Sequence, residues 1–324
     1  MNYDLIATLG PSSSEAHLWA EMLSNGVTAF RLNTSHLTPG QLQGWLDRLE
    51  LFLASNDPRP ALVLDLQGSK WRLGQFTSFE LAAGQSVELV CTLSTRAANV
   101  LPVPHPDFFT AAPLSSDEIV LDDARVRLRV QSYHGEALTA HVVQGGVISP
   151  NKGITFTASE YRTESLSEKD RAIFEQTAGF ASVRYAISYV KDAAEMKRYR
   201  ELFGPEAHLV AKLERGPAVD QAGEIARFAG EVWLCRGDLG AELGMPGMAR
   251  KTAEFSARIA GLPALAILAG QVLEHMSAHP HPTRSEVCYM YDALLRGYRG
   301  FVLSDETAIG RHPVEACRIA AMFK

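Results

Sequence analysis

A lysine and a glutamate two residues apart, Lys212 and Glu214, are well suited to chemistry on an anionic substrate. They stand at the end of the apolar run AHLVAKL, and alternate residues of a strand share a face, so we expect both side chains to point toward the same ligand. Asp238, in RGDLG, follows the next apolar run. Two carboxylates suit Mg²⁺ or Mn²⁺, and a lysine beside them suits a developing enolate or a transferring phosphoryl group.

An alternative stays open for these charges. Glu214 and Asp238 could instead pair with Lys212 and Arg236 and only stabilise the fold. A zinc site is not expected, because the sequence has no cluster of cysteine and histidine.

Further polar residues follow two earlier apolar runs. The arginines among them are either ion-pair partners of acids or forks that hold phosphate or carboxylate oxygens. The residues are Arg31, Asn33, Ser35 and His36 after the second run, and Asp65, Lys70 and Arg72 after the third.

The elements that carry these residues form a repeating pattern of an apolar strand followed by helical sequence. The predicted strands cover 4–9, 27–32, 61–66, 183–190, 207–213, 231–236, 263–269 and 300–304. Without an insert of about 80 residues, roughly 240 residues remain, close to the size of a (β/α)8 barrel. We predict an α/β fold, a (β/α)8 TIM barrel with its chemistry at the carboxyl ends of the strands, and a doubly wound sheet as the alternative.

The insert follows the third strand and differs in pattern. From about Trp71 to Ile154 the chain has short alternating runs rich in Val and Thr, separated by Gly, Ser and Asp. This pattern predicts a small all-β domain. The predicted domains are the barrel, 1–70 and 155–324, and the insert, 71–154.

Composition limits the classes of function. The 324 residues are 46% hydrophobic and 21% charged, with a net charge of −6, which does not indicate a nucleic-acid groove. Apolar segments fall far short of the ~20 residues that cross a bilayer, and the amino terminus does not resemble a signal peptide. We expect a cytoplasmic protein with no membrane or nucleic-acid partner. Widely separated cysteines predict reduced thiols: Cys91, Cys235, Cys288 and Cys317.

A dozen segments, taken in order, make the chain resemble the pyruvate kinase family over essentially its whole length. They are IATLGPSS, FRLNTSH, LDLQGSKWRLG, LDDARV, GGVISPNKGI, LSEKD, ISYVKDAAEMKRYREL, AKLE, CRGDLGAELG, QVLEHM, HPTRSEV, and VLSDETAIG followed by HPVEA. The resemblance implies a glycolytic, Mg²⁺-dependent kinase that transfers a phosphoryl group between phosphoenolpyruvate, or a related enol phosphate, and ADP. It also implies that the insert is the lid of the barrel.

The resemblance implies a role for each matching residue. Lys212 would stabilise the transferring phosphoryl group and Arg31 would hold the substrate phosphate. Glu214 and Asp238 would bind Mg²⁺ and the 2-oxo acid, and the backbone of Gly237 and Asp238 would receive the substrate carboxylate. Contacts on the nucleotide side would be Asn33, Ser35, His36, Arg72 and Lys152. The family's K⁺ site corresponds to Asn33, Ser35, Asp65 and the carbonyl of Leu66.

Three departures from the family change these expectations. Lys70 stands where many members have Glu, and its ammonium could replace K⁺, so we expect activity without K⁺. Ile309 replaces the lysine of TAKG and Asp305 replaces a glycine, each weakening nucleotide binding by about 1 kcal/mol. The chain ends after the eighth helix, so we expect no effector control through the family's C-terminal domain, and a homodimer through the barrel.

A fourth departure is Gly270. The family's seventh strand ends in ATQMLES, whose threonine contacts the substrate and helps to protonate the enolate, whereas this chain has Ala269-Gly270-Gln271. General acid assistance contributes about 10²–10⁴-fold. A water could substitute, or the space could admit a larger substrate. A Mg²⁺-dependent 2-oxo acid aldolase, lyase or decarboxylase therefore stays open, as does a non-catalytic paralogue that binds a phosphorylated acid.

Overall fold

A computed structural model describes residues 1–68, 70–122, 125–157 and 166–324. Ser69 of LDLQGSKWRLG, Asp123 and Ala124 of LDDARV, and the part of the predicted barrel at 158–165 lie outside the described residues. The chain forms two compact units. We call them the barrel unit, 1–68, 166–236 and 250–324, and the inserted unit, 69–165 and 237–249. The predicted domain boundaries stay a prediction.

The barrel unit contains a closed barrel of parallel strands in the order β1-β16-β15-β14-β13-β12-β3-β2. Its strands are β1 (Asp4–Thr8), β2 (Ala29–Asn33), β3 (Ala61–Leu66), β12 (Val183–Ile187), β13 (His208–Leu213), β14 (Glu231–Cys235), β15 (Leu265–Ala269) and β16 (Gly300–Leu303). The predicted (β/α)8 barrel is confirmed, and the doubly wound alternative is wrong.

Four of the helices that follow the barrel strands, α2, α4, α5 and α9, begin at a capping side chain. Thr38 accepts from the backbone N–H of Gln41 and forms a capping box at the start of α2. The helices are α1 (Ala16–Ser24), α2 (Pro39–Ala54), α4 (Glu168–Thr177), α5 (Ala193–Phe203), α6 (Gly216–Asp220), α7 (Ala222–Ile225), α8 (Arg236–Ser256), α9 (Arg284–Leu295), α10 (Asp305–Ala308) and α11 (Pro313–Ala320). Across the described residues, none is long and apolar enough to cross a membrane.

The interior of the barrel is a packed apolar core. Small side chains such as Ala29 and Ala186 belong to one cluster with large ones such as Trp233 and Ile267, all almost fully buried. Since side chains fill the barrel, polar groups collect at the strand ends.

The inserted unit is mainly β-structure, as predicted. Its strands are β4 (Phe79–Leu81), β5 (Ser86–Val90), β6 (Val100–Pro102), β7 (Glu118–Leu121), β8 (Val126–Tyr133), β9 (Ala137–Gln144), β10 (Gly146–Ile148) and β11 (Ile154–Phe156). They form a sheet in the order β11-β7-β8-β9-β5-β6 and a pair β10-β4. Four cysteines lie in the two units, and no disulfide joins them within the described chain.

The sequence pattern did not predict the helix α3 (Pro106–Ala111) of the inserted unit. Pro106 opens the helix, and Phe108 is fully buried, stacking on Phe156 with ring centroids 4.7 Å apart. Trp71 meets Phe108 edge-on at 5.2 Å. Tertiary packing of these rings thus stabilises a helix too short to be stable alone.

Most predicted strands have bounds within two residues of the structure, and two predicted elements differ by more. The strand predicted over 183–190 ends at Ile187, because Tyr189 adopts a φ of 57° that a strand cannot contain. The helical sequence expected after the strand at 231–236 lies in α8, which already starts at Arg236 and is interrupted at Gly244, where φ is 68°. Gly244 has no Cβ and takes this left-handed conformation readily.

Candidate active site

Asp65 is the centre of a buried charge cluster at the carboxyl ends of β2, β3, β12 and β13. Its Oδ2 accepts hydrogen bonds from Arg31 Nε and Nη2 at 2.7 and 2.6 Å. Its Oδ1 accepts from Lys212 Nζ and Ser188 Oγ, both at 3.0 Å. The barrel brings the four residues together, although they come from four separate strands or strand ends. Asp65 thus links the two cations that the sequence predicts to be catalytic.

Lys212 has an acceptor for each hydrogen of its ammonium group. Besides Asp65, it contacts Ser188 Oγ at 2.8 Å and Glu214 Oε1 at 3.0 Å. Lysine carries three N–H donors, so all three have a partner. A ligand that binds Lys212 must therefore replace or share one of these contacts.

The charges of this cluster hold one another in their ionised forms. Burial lowers the pKa of Lys212, but the carboxylates of Asp65 and Glu214 outweigh burial and raise that pKa above its ordinary value. Burial raises the pKa of Asp65, yet Lys212 and Arg31 outweigh it and lower that pKa below its ordinary value. Lys212 is therefore an ammonium at neutral pH, and Asp65 is a carboxylate.

Glu214 follows β13 directly and is 3% exposed. While Oε1 contacts Lys212, Oε2 accepts the backbone N–H of Tyr189 at 2.7 Å. The positive φ of Tyr189 belongs to the same turn that ends β12. Lys212 and Glu214 thus point the same way, and the contact between them is an ion pair.

Arg31 lies on β2, and its contacts hold three of its donors. Nη1 donates to Thr8 Oγ1 at 2.8 Å, while Nε and Nη2 are used by Asp65. A guanidinium has five N–H donors, so two have no partner among the described residues and could reach a phosphate oxygen. The ion pair that the sequence left open for this arginine exists, and it leaves Arg31 donors for an anion.

The barrel unit carries four further predicted contacts. Asn33 ends β2 and pairs in register with Asp65. Ser35 and His36 form a 3-10 turn, in which Ser35 is half-buried and His36 is exposed. The carbonyl of Leu66, a predicted K⁺ ligand, accepts the N–H of Ser188 at 3.3 Å.

The other predicted contacts belong to the inserted unit. Lys70 Nζ lies 2.6 Å from Asp238 Oδ1, and Lys152 Nζ lies 2.8 Å from Asp122 Oδ1. Arg72 Nη1 donates to the carbonyl of Asn151 at 2.9 Å. Gly237, exposed, and Asp238 occupy the first turn of α8. Asp238 therefore pairs with Lys70, a partner that the sequence did not predict.

Gly270 has a backbone reason to be glycine. It follows β15 with a φ of 82°, in the left-handed region that side chains disfavour. Its carbonyl accepts from Arg236 Nε and Nη2 at 3.1 and 2.7 Å, and the carbonyl of Gln271 accepts from Nη2 at 2.8 Å. Arg236, considered from sequence as a partner for the acids, instead holds the turn after β15.

The two positions after the eighth barrel strand at which the sequence departs from the resembled pattern are exposed. Asp305 is exposed, and Ile309 is 60% exposed. Between them in sequence, Glu306 is fully buried and accepts the N–H groups of Leu273 and Ser304 at 2.9 and 2.6 Å. Burial raises the pKa of Glu306. Glu306 thus joins the loops after β15 and β16, while the two replaced positions lie at the surface.

Three residues near the cluster were missed by sequence reasoning. Ser188 lies inside a run that we predicted to be strand, so its polar side chain gave no signal of a turn. Lys169 donates to the carbonyls of Thr34 and Leu37 at 2.6 and 2.7 Å. Asp170 accepts the N–H groups of Gln67 and Gly68, both at 3.1 Å. The signal for the last two was the quoted motif LSEKD, which contains both.

The carboxylate oxygens of Glu214 and Asp238 are of the type that binds a hard cation such as Mg²⁺, which keeps most of its water ligands. Within the described ranges, no three or more His, Cys, Asp or Glu side chains gather to hold a metal. Mg²⁺ is usually bound through one or two carboxylates, with waters and substrate oxygens completing its shell. Glu214 and Asp238 supply carboxylate oxygens, which match the ligands of Mg²⁺. A zinc site is typically built from cysteine and histidine ligands instead.

A closed barrel of parallel strands with helices after its strands defines a TIM-barrel protein, and a lysine, an arginine and carboxylates lie at its strand ends. The family described as "Pyruvate kinase, barrel domain" matches residues 2–317, and the chain belongs to the pyruvate kinase family.

Curated relatives extend the comparison. A pyruvate kinase of Agrobacterium vitis is 32% identical over 320 residues, covering 97% of this chain and 66% of that protein. A pyruvate kinase of Aeropyrum pernix is 32% identical over 319 residues, covering 96% and 68%. Pyruvate kinase II of Salmonella typhimurium is 32% identical over 331 residues, covering 99% and 68%. The chain spans about two thirds of the length of these relatives.

Proposed function

We propose that this protein is a phosphotransferase of the pyruvate kinase type. It would transfer a phosphoryl group between phosphoenolpyruvate, or a related enol phosphate, and ADP, with Mg²⁺ or Mn²⁺. The observation that carries the proposal is the buried ammonium of Lys212, held among Asp65, Ser188 and Glu214. A fixed cation of this kind stabilises negative charge as it develops, because it needs no reorganisation during the reaction.

Lys212 would act by exchanging one of its hydrogen-bond acceptors for an oxygen of the phosphoryl group. Its raised pKa keeps the ammonium protonated at neutral pH, so it serves as a positive charge and not as a base. A phosphoryl oxygen would take the place of one of its three acceptors or share a hydrogen with it. Asp65 and Ser188 hold the side chain during that exchange.

Arg31 would hold the phosphate of the substrate. Asp65 fixes the guanidinium through Nε and Nη2, and two N–H donors with no partner in the described part of the chain remain for phosphate oxygens. A fork of this geometry orients phosphate better than a lysine would. The same carboxylate therefore positions both catalytic cations.

We keep the sequence prediction that Glu214 and Asp238 bind the divalent cation. When bound, the cation would neutralise charge on the oxo acid and on the transferring group. The backbone N–H groups of Gly237 and Asp238, in the first turn of α8, would receive the substrate carboxylate, since helix amino termini attract anions. Nucleotide contacts would come from Asn33, Ser35, His36, Arg72 and Lys152.

The positive φ of Gly270 gives glycine a local reason at this position, so the missing threonine alone does not favour an aldolase, lyase or decarboxylase. That alternative depended on a gap left by a missing threonine, and the turn itself gives a reason for glycine. Protonation of the enolate would then fall to a water at this end of the site.

A substrate panel tests the proposal. Phosphoenolpyruvate is incubated with Mg²⁺ and each nucleoside diphosphate in turn, and pyruvate and nucleoside triphosphate are both measured. Oxaloacetate decarboxylation and pyruvate aldol cleavage are assayed in parallel. We expect equal amounts of pyruvate and triphosphate from the wild type.

The Lys212→Met variant is the control, because methionine keeps the length of the side chain without its charge. We expect its rate to fall by at least about 10²-fold. No turnover with any diphosphate, together with binding of oxalate and Mg²⁺, would contradict a kinase and leave the other two classes. Decarboxylation or aldol cleavage alone would identify a lyase.

A further inference from the structure

We propose that Lys70 is an internal competitor of the divalent cation for Asp238. This rests on the proposed function, which assigns Asp238 to the cation. In the structure the ammonium of Lys70 lies 2.6 Å from Asp238 Oδ1. The acid that should bind a dication therefore already has a cationic partner from its own unit.

The pair is well shielded from water. The side chains of Lys70 and Asp238 are only 10% and 15% exposed, so the attraction between them is screened less than in a surface ion pair. An ammonium at this distance would repel a dication that binds the same carboxylate. Cation binding must therefore displace Lys70 or share the carboxylate with it, and either event lowers the affinity.

Gly153 sets the path of the Lys70 side chain. A Cβ built on Gly153 would lie 2.4 Å from Lys70 Cε and 3.0 Å from Nζ. The backbone of Gly153 is paired with Arg72 and accepts the N–H of Asp122 at 3.1 Å, so it is held in place. A methyl group at 153 would move the end of the lysine side chain and leave its charge unchanged.

Lys70 would thus set the cation concentration at which the site fills. It is a residue that tunes affinity, distinct from one that contacts the substrate. Removing the charge of Lys70 should tighten cation binding. If Lys70 only stabilised the fold, its removal would weaken cation binding or leave it unchanged. The direction of the change therefore distinguishes the two roles.

Binding of Mn²⁺ to the protein without substrate tests this directly. The free ion is measured by electron paramagnetic resonance during titration of the wild type and variants at pH 7.5. For Lys70→Met we expect the Kd to fall by about tenfold, the scale of coupling between charges in contact. For Gly153→Ala we expect a fall of about threefold in the same direction, since the charge is moved and not removed.

Two controls match these variants. Lys70→Arg keeps the charge and should leave the Kd near that of the wild type. Arg127→Met removes one positive charge from the same unit, where Arg127 pairs with Glu118 at 3.0 Å, and should also leave the Kd unchanged.

Thermal unfolding confirms that each variant is folded. In an Asp238→Asn background, Lys70→Met should no longer tighten binding.

The outcomes separate this inference from the proposed function. If Lys70→Met leaves the Kd unchanged or raises it while Asp238→Asn weakens binding, competition by Lys70 is wrong and the cation assignment stands. If Asp238→Asn leaves the Kd unchanged, the cation does not bind Asp238, and both proposals fail. Binding of Mn²⁺ by neither the wild type nor Lys70→Met would also overturn both.

Discussion

At the scale of single residues, Asp65 determines the charge state of the candidate site. One buried carboxylate orients Arg31 through one oxygen, and Lys212 and Ser188 through the other. Removing one partner of a buried ion pair is costly because the remaining charge is left without compensation. Asp65 is therefore a positioning residue whose loss affects stability and activity together.

The Asp65→Asn variant should lose about 3 kcal/mol of unfolding free energy at pH 7. The folded-state pKa of Asp65 lies below the ordinary 3.8, so its contribution is fully present above that value. It is lost as the pH falls through the lower folded-state pKa. Urea unfolding at a series of pH values should show a constant gap between wild type and variant near neutrality, and a shrinking gap below about pH 4. A gap that widens with acidity would contradict this.

Gly270 is the second residue whose local conformation can be tested. Alanine at a φ of 82° should cost about 1–2 kcal/mol, and threonine more, because its branched side chain crowds the backbone. Asparagine should cost least among these variants, since it tolerates the left-handed region. The free energy of unfolding measures the effect. Gly179→Ala is the matched control, because a Cβ added at Gly179 would lie in open space and the φ of Gly179 is not positive. Equal effects at 179 and 270 would contradict a backbone requirement.

At the scale of elements, the first turn of α4 holds two loops of the barrel. Lys169 binds carbonyls of the turn at 34–37, and Asp170 binds the N–H groups of Gln67 and Gly68. Gly68 itself has a φ of 60°, and a Cβ there would lie only 2.1 Å from the carbonyl of Ser188. The helix thus positions the loops that follow β2 and β3, next to Asn33 and Asp65 at the ends of these strands.

Asp170→Asn should loosen the loop after β3. An amide has only one oxygen to accept the two N–H groups, so we expect a loss of about 2 kcal/mol. Hydrogen exchange at Gln67 and Gly68 should accelerate, as measured by mass spectrometry. Glu168→Gln is the control, since Glu168 is exposed in the same turn. Unchanged exchange in Asp170→Asn would contradict the role of α4.

The strands were predictable from the sequence, whereas the contacts between side chains of the candidate site were only partly predictable. Strands of a parallel barrel are buried on both faces and appear as apolar runs, and β3 matched its prediction at both ends. The direction of Lys212 and Glu214 followed from alternation along one strand. Their partners did not, because Asp65 is 147 residues from Lys212, and only barrel closure brings them together. The turn at Tyr189 and the Lys70–Asp238 pair gave no local signal.

At the scale of the whole molecule, the predicted site residues are divided between two compact units. The barrel unit holds Arg31, Lys212 and Glu214, and the inserted unit holds Lys70, Arg72 and Asp238. Within the barrel unit the positive and negative groups largely compensate each other. In the inserted unit, Lys70 compensates Asp238.

Independence from K⁺ is a prediction for the whole enzyme. We expect the positive charge of Lys70 to replace that of K⁺, so the initial rate should not change when KCl replaces tetramethylammonium chloride at constant ionic strength. A steep rise with KCl would contradict this prediction. The assay uses the full chain with saturating Mg²⁺, so that effects of K⁺ and of the divalent cation stay separate.

The most direct test of phosphoryl transfer through Lys212 is ³¹P nuclear magnetic resonance of phosphoenolpyruvate, ADP and Mg²⁺ with the protein. We predict that the phosphoenolpyruvate signal declines as the γ-phosphate signal of ATP grows, and that Lys212→Met slows both by at least about 10²-fold. Inorganic phosphate without ATP, or equal rates in wild type and Lys212→Met, would contradict the proposed role of this lysine.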